Sequence, residues 1–193
     1  MYIPDGNAQE RNKYAEIWSI DQYRKAHSPG LQNVDRFMEI VAPQPGQSLY
    51  DVGCGSGSAG LKFAENGLRV TYVDITPAGL EPQVPMDHFI EAPLWGLWAQ
   101  EQHNYAFCCD VMEHIPTEYV MLTLDNILQS CELAWFQICH LPDEYGKLIG
   151  EPLHLTVRPH NWWLVRLATL SEVIDARDLC GSGLYIVKGN RYS

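Results

Sequence analysis

Residues that can do chemistry gather in two short stretches, and each follows a run typical of a buried strand. The first is the glycine-rich stretch LYDVGCGSG at residues 49–57. The second is the run DVMEHIP at residues 110–116, which His154 joins from downstream. Glycine lets a ligand approach the main chain, whereas carboxylates and imidazoles can move a proton or hold a cation. The two stretches therefore predict a ligand site with a reactive group beside it.

The glycine-rich stretch stands between a strand-like run and a helix-like run. Glycine permits the tight turn, and the N–H groups at the start of the next helix face the ligand. A dinucleotide fingerprint would place its third glycine at position 58, but the chain has Ser58 there and its third glycine at Gly57. The next strand ends at Asp74, whose carboxylate can accept both hydroxyls of a ribose.

Asp51, the glycine spacing and Asp74 resemble motif I of the class I S-adenosylmethionine-dependent methyltransferases, and the resemblance spans roughly residues 47–190. It implies S-adenosyl-L-methionine as the cofactor, with Asp74 on the ribose and Ile75 on the adenine. Glu91 is the nearest candidate for a contact to the adenine amino group. The cofactor-binding residues that the resemblance implies are Asp51, Gly53, Cys54, Gly55, Gly57, Asp74, Ile75, Glu91, Asp110 and Val111.

Glu113, His114 and His154 are the candidate catalytic residues, and three interpretations of them stay open. In the first, His114 or His154 is a general base, because an imidazole works near neutral pH without a large pKa shift. In the second, these residues and Asp110 bind Mg or Mn, which lowers the pKa of an acceptor hydroxyl. In the third, Glu113 and His114 only open the following helix.

The second stretch also resembles the ubiquinone-pathway O-methyltransferases and the terminal 2′-O-methyltransferases of small RNAs. In those enzymes an acid-x-x-acid-His run holds a cation, and a distant His joins it in the RNA enzymes. Asp110 stands here where those families have Glu. The resemblance implies a cation site without fixing its ligands.

The elements that must position these residues alternate between strand and helix patterns, which indicates a mostly parallel sheet. With the resemblance, this predicts an α/β, Rossmann-like class I methyltransferase fold: seven strands, an antiparallel edge hairpin and helices on both faces. A helix is expected over residues 116–131. Residues 1–46 are predicted to form a helical cap segment and residues 47–193 the cofactor-binding catalytic domain, within one globular domain. Tyr23 and Arg24 of the cap are either a lid over the cofactor or a solvated helix face.

Composition narrows the partners and the compartment. The 193 residues carry 13 basic and 24 acidic side chains, a formal charge of −11, which disfavours nucleic acid and anionic membranes. None of the six cysteines forms a C-x-x-C pair, and the sequence has neither a signal peptide pattern nor an apolar run long enough to span a bilayer. We expect a cytoplasmic monomer or homodimer.

The sequence predicts an enzyme that transfers a methyl group from S-adenosylmethionine to an O or N nucleophile of a small molecule. Only short segments are available to cover the site, which suits a small acceptor. Two alternatives stay open. One is a methyltransferase acting on a nucleic-acid terminus or a protein, with or without a divalent cation. The other is a non-catalytic, cofactor-binding partner subunit.

Overall fold

A single seven-stranded sheet organises the chain. The computed structural model describes residues 6–25, 28–97 and 102–190. The strands are β1 (Ser48–Val52), β2 (Arg69–Asp74), β3 (Phe89–Glu91), β4 (His103–Cys109), β5 (Cys131–Cys139), β6 (Val173–Asp178) and β7 (Ser182–Lys188). Their order is β3-β2-β1-β4-β5-β7-β6. The first five strands pair in parallel, and β7 runs antiparallel to both β5 and β6. The predicted sheet and its edge hairpin are confirmed.

Helices cover both faces of the sheet, as predicted. They are α1 (Gly6–Trp18), α2 (Asp21–Arg24), α3 (Pro29–Val41), α4 (Ser58–Glu65), α5 (Val120–Gln129) and α6 (His160–Leu170). Side chains of a strand alternate between faces, and this divides the core in two. Phe107 and Trp135 pack with α3 and α4 on one face, whereas Cys108 and Phe136 pack with α5 and α6 on the other.

The expected helix over residues 116–131 is shorter than predicted at both ends. Pro116 has an extended backbone with ψ at 136°, and a 3-10 turn over Thr117–Tyr119 precedes α5. Proline is compatible with a first helical turn, but here it ends the preceding loop. At the other end, Cys131 is the first residue of β5, where it pairs with His103 of β4.

The N-terminal helices divide into two groups. Helix α3 belongs to the layer on the sheet, because Phe37 is fully buried among Phe63, Phe107 and Trp135. Helices α1 and α2 instead lie over the carboxyl ends of the strands. A Cβ added at Gly55 would lie 2.9 Å from the Trp18 ring of α1, so this helix packs directly on the glycine-rich turn.

Candidate active site

The glycine-rich turn joins β1 to α4 in a conformation that favours glycine. Gly53, Gly55 and Gly57 have φ of 67°, 53° and 75°, in the left-handed region. A Cβ at Gly53 would lie 2.6 Å from Val111, and a Cβ at Gly57 would lie 2.5 Å from Val84. The glycines therefore leave a main-chain cradle at the carboxyl end of the sheet.

Two buried carboxylates lie under this cradle. Asp74 accepts hydrogen bonds from Gly55 N at 2.9 Å and Thr76 N at 3.3 Å, and burial raises its pKa to about 6. Asp51 is 3% exposed, and its Oδ2 has no hydrogen-bond partner among the described residues. Burial raises the pKa of Asp51 to about 7. An unpartnered buried oxygen is costly, and a ligand that donates a hydrogen bond to it would remove that cost.

An apolar cavity of about 120 Å³ adjoins the cradle, and we call it the Ile75 cavity. Ile75, Leu94, Trp95 and Val111 line it beside Asp74. It therefore offers flat apolar walls next to a carboxylate, which suits a nucleoside.

Glu91 lies away from this lining. Its carboxylate pairs with Arg11 of α1. The structure therefore brings Asp51, Cys54, Asp74, Ile75 and the glycines together. Glu91 is the register partner of Asp74 on β3, but it does not line the Ile75 cavity.

The second chemical stretch forms a turn after β4. Asp110 has φ of 61°, an uncommon conformation for a residue with a side chain, and its N–H bonds Gln137 O at 2.8 Å. Glu113 is fully buried, and its Oε1 accepts from Cys139 N at 2.7 Å. Its Oε2 has no partner among the described residues. Burial, and after it the negative charge of Asp110, raises the pKa of Glu113 well above its usual value.

His114 and His154 meet at the end of this turn. Their ring centroids are 4.6 Å apart in an edge-to-face arrangement. Burial, and then the neighbouring His154, lowers the pKa of His114 to about 4, so this ring is neutral near pH 7. His154 Nδ1 lies 2.6 Å from Leu141 O. Because a carbonyl oxygen only accepts, Nδ1 donates in this bond, which leaves Nε2 as the nitrogen that can take a proton or a cation.

The irregular segment that carries His154 is fixed by backbone hydrogen bonds. The Asp143 carboxylate accepts from the N–H groups of Gly146, Leu153 and His154. The N–H groups of Leu155 and Thr156 both bond Glu113 O at 2.8 Å. These hydrogen bonds fix the conformation of the segment and join it to the turn that contains His114. Sequence reasoning missed Asp143, although an aspartate closing a turn after a proline is a known local signal.

Candidate cation ligands fall into two sets in the described part of the chain. Glu113, His114 and His154 each offer one ligand atom, and these atoms lie within 4.8 Å of one another. Asp110, Glu113 and Cys139 form the second set. The sequence suggested Asp110, Glu113, His114 and His154 as one cation site. In the structure they are divided between two sets that share Glu113. The unpartnered Glu113 Oε2 and the lone pair of His154 fit a cation in the first set.

A second cavity, of about 500 Å³, lies beside these histidines, and we call it the His154 cavity. It shares part of its lining with the Ile75 cavity. The shared residues are Trp18, Tyr23, Gly53, Gly55, Asp110 and His114. The two cavities therefore meet over the glycine-rich turn, under the aromatic side chains of α1 and α2.

Tyr14 and Trp18 of α1 were not predicted as site residues. They are spaced four residues apart, which places them on one helix face, but that spacing fits core packing equally well. Arg24 bonds the carbonyl of Ala78, so α2 is also held over the site. The lid interpretation of Tyr23 and Arg24 fits this position.

Comparison with solved structures identifies the fold. Magnesium protoporphyrin IX methyltransferase from Synechocystis, solved with bound SAM, superposes over 100% of both chains with a TM-score of 0.70 and 15% identity. The chain has the fold of the class I S-adenosylmethionine-dependent methyltransferases. A methyltransferase from Burkholderia thailandensis, solved with 1,6-didemethyltoxoflavin and S-adenosylhomocysteine, matches 98% of the chain and 92% of its own, with a TM-score of 0.67 and 15% identity.

Curated relatives match in sequence over part of the chain. A protein named ubiquinone biosynthesis O-methyltransferase, from Albidiferax ferrireducens, is 26% identical over 110 residues, 51% of this chain and 43% of the relative. A phosphoethanolamine N-methyltransferase from Arabidopsis thaliana is 29% identical over 51% of this chain and 19% of its own. The chain spans about half or less of the length of the curated relatives it matches. No protein-family model matches the sequence.

Proposed function

We propose that the protein transfers the methyl group of S-adenosyl-L-methionine to an O or N nucleophile of a small molecule. The observation that carries the proposal is the glycine-rich cradle over Asp51 and Asp74, at the meeting point of two cavities. The names of the curated relatives and the bound cofactors of the structural neighbours support it. No comparison favours a nucleic-acid or protein acceptor, or a non-catalytic partner subunit.

In this proposal, cofactor binding uses the residues around the cradle. The main chain of Gly53, Cys54, Gly55 and Gly57 and the carboxylate of Asp51 hold the amino-acid part. Asp74 accepts the ribose hydroxyls, exchanging its present bond to Gly55 N for stronger bonds to the ligand. Ile75 and Val111 pack on the adenosine, with Asp110 beside it. When bound, S-adenosylmethionine supplies an electrophilic methyl group.

Glu91 is the weakest member of the predicted cofactor set. It reaches the adenine amino group only after leaving Arg11.

His154 is the proposed general base. Its Nδ1 proton is held by Leu141 O, so Nε2 is the nitrogen that accepts the proton of the acceptor. His114 stays neutral and packs edge-to-face on His154, which orients the base. Glu113 holds the His154 segment through its backbone carbonyl. Closure of α1 and α2 over the site excludes water, and the remaining contribution is positioning of the two reactants.

A transfer assay tests the proposal. Protein is mixed with S-adenosylmethionine labelled in its methyl group and with panels of small phenols, catechols and amines. We expect label in one of these classes, and we expect His154→Ala to lose that product while it still binds S-adenosylhomocysteine. Transfer at an unchanged rate by His154→Ala would remove His154 as the base.

A second candidate mechanism uses a divalent cation, because Glu113, His114 and His154 bring three ligand atoms within 4.8 Å. A cation there would bind the acceptor oxygen and lower its pKa, so that no general base is needed. The same transfer assay, run with chelator and then with added Mg or Mn, separates the two mechanisms. Cation dependence favours this candidate, and equal rates favour the base.

Three further expectations, on the domains, the compartment and the assembly, belong to the same proposal. We take residues 1–46 as the N-terminal helical segment, in which α1 and α2 cap the site and α3 packs on the sheet, and residues 47–193 as the catalytic domain. None of the helices in the described part of the chain is long and apolar enough to cross a membrane. The cytoplasmic expectation rests on the six cysteines of the sequence, none of which forms a C-x-x-C pair. A monomer or homodimer remains the expected assembly.

A further inference from the structure

Three aromatic rings form a corner in the wall of the His154 cavity. Tyr23 of α2 meets Trp18 at a centroid distance of 4.9 Å and an interplanar angle of 75°. It meets Tyr145 at 5.5 Å and 81°. All three residues line the cavity, and Tyr145 lines only that cavity of the two at the site. We call this set the aromatic corner. Aromatic rings that border open space can bind an ammonium cation over their faces.

The charges around the aromatic corner favour the same kind of ligand. The negative charges of Asp110 and Asp143 both act on the Tyr23 phenol and, after burial, raise its pKa. Both residues line the cavity, and the Asp143 carboxylate keeps its negative charge while it accepts hydrogen bonds from three backbone N–H groups. The one arginine in this lining, Arg24, directs its guanidinium to the carbonyl oxygens of Trp18 and Ala78. An anionic acceptor would therefore meet repulsion here, whereas a cation would meet ring faces and carboxylates.

We propose that the acceptor carries an ammonium group and that the aromatic corner, with Asp110 and Asp143, binds that group. This inference rests on the proposed methyl transfer and narrows its acceptor to a small molecule with a cationic nitrogen. Where that nitrogen is itself methylated, the ammonium group first gives one proton to His154 Nε2, and the lone pair left on nitrogen takes the methyl group. Cation–π contacts select charge with little dependence on hydrogen-bond geometry. The corner therefore distinguishes an amine from an uncharged molecule of the same shape.

The cofactor is a second possible source of a cation, because its sulfonium is also positively charged. Trp18 and Tyr23 line both cavities at the site, so they contact either ligand. Tyr145 separates the two sources, because it lines the His154 cavity without lining the Ile75 cavity. Its side chain is also 38% exposed, so changing it should leave the fold intact.

The test compares choline with dimethylbutanol, its uncharged carbon isostere, by calorimetric titration into the full chain saturated with S-adenosylhomocysteine. We expect choline to bind roughly tenfold or more tightly than dimethylbutanol. Tyr145→Leu should abolish this preference, whereas Tyr145→Phe, which keeps the ring, should retain it. The affinity for S-adenosylhomocysteine should be equal in all three proteins.

The outcomes distinguish the inference from the function on which it rests. Equal binding of choline and dimethylbutanol, or binding of neither, would overturn the amine acceptor while cofactor binding stands. Loss of affinity for S-adenosylmethionine but not for S-adenosylhomocysteine in Tyr145→Leu would assign the corner to the sulfonium and overturn the inference. If wild-type protein fails to bind S-adenosylhomocysteine, the proposed function and the inference both fall.

Discussion

The phenol oxygen of Tyr14 lies 2.8 Å from Nδ1 of His114, although 100 residues separate the two along the chain. This hydrogen bond joins helix α1 to the turn after β4. Burial raises the pKa of Tyr14 well above its usual value, so it stays a neutral phenol. The segment that covers the site is therefore bonded to one of the candidate catalytic residues, and closure of the cover and orientation of His114 go together.

Tyr14→Phe tests this relationship. The substitution keeps the ring and removes the oxygen, which leaves His114 Nδ1 without that partner. We expect the free energy of unfolding to fall by about 1 kcal/mol. Urea denaturation measures this free energy. Tyr119→Phe is the control, because it also removes a phenol oxygen and its ring stacks on Trp95 instead. Equal losses in both variants would contradict a specific Tyr14–His114 bond.

Gly53→Ala should weaken binding of S-adenosylhomocysteine by more than about tenfold, or 1.4 kcal/mol. The new Cβ would meet Val111 at 2.6 Å and distort the cradle. Gly46→Ala is a matched control, because Gly46 has φ of 86° and no atom within 4 Å of an added Cβ. Both variants pay backbone strain, but calorimetry should detect lost binding only in Gly53→Ala. Equal affinities in the two variants would contradict the cradle.

The sequence was sufficient to locate the cradle because its signals are local. Residues 48–65 contain a strand, the glycines with positive φ and the helix that follows them. Asp74 is the last residue of the next strand. The sheet was predictable for the same reason, since alternation of strand and helix patterns specifies a parallel order. The predicted start of helix α5 was wrong because Pro116 is equally compatible with a loop and with a first helical turn.

Glu113, His114 and His154 could be named from the sequence, but the contacts around them could not be predicted, because these contacts join distant segments. Nothing in the spacing of residues links Tyr14 to His114, or Tyr23 to Tyr145. The position of His154 depends on Asp143, eleven residues earlier in an irregular loop, and such loops have no hydrophobic period. These side-chain contacts form only in the folded protein, where the sheet places the loops at the same edge.

Asp51→Asn should make the ligand-free protein more stable at pH 8. The pKa of Asp51 is raised from 3.8 to about 7 in the folded state, so the folded protein binds more protons than the unfolded chain between these values. The stability from this group is therefore lost as pH rises through that window. Removing the ionisable group should stabilise by up to roughly 4 kcal/mol above pH 7, an upper limit from three pKa units.

Thermal unfolding across pH 5–8 measures the effect of Asp51→Asn. The gain over wild type should shrink steadily as the pH falls, because wild-type Asp51 becomes protonated. Binding of S-adenosylmethionine should weaken in the same variant, since a neutral amide replaces the carboxylate. A stability difference between Asp51→Asn and wild type that does not change with pH would contradict the burial of a charged carboxylate at Asp51.

His154→Ala should weaken Mn binding about tenfold or more if Glu113, His114 and His154 hold a cation. Titration of Mn into chelator-treated protein measures this, with His88→Ala, in a 3-10 turn outside the described cavities of the site, as the control. Wild-type protein that binds no Mn would remove the cation mechanism and leave His154 as a general base.

The most direct test of the central claim is calorimetric titration of S-adenosylmethionine and S-adenosylhomocysteine into chelator-treated wild-type protein, repeated with Mn. We expect one-to-one binding of both ligands in the micromolar range. We also expect Gly53→Ala to weaken this binding by more than about tenfold and Gly46→Ala to preserve it. Absence of binding by both ligands, with and without Mn, would contradict the methyltransferase assignment.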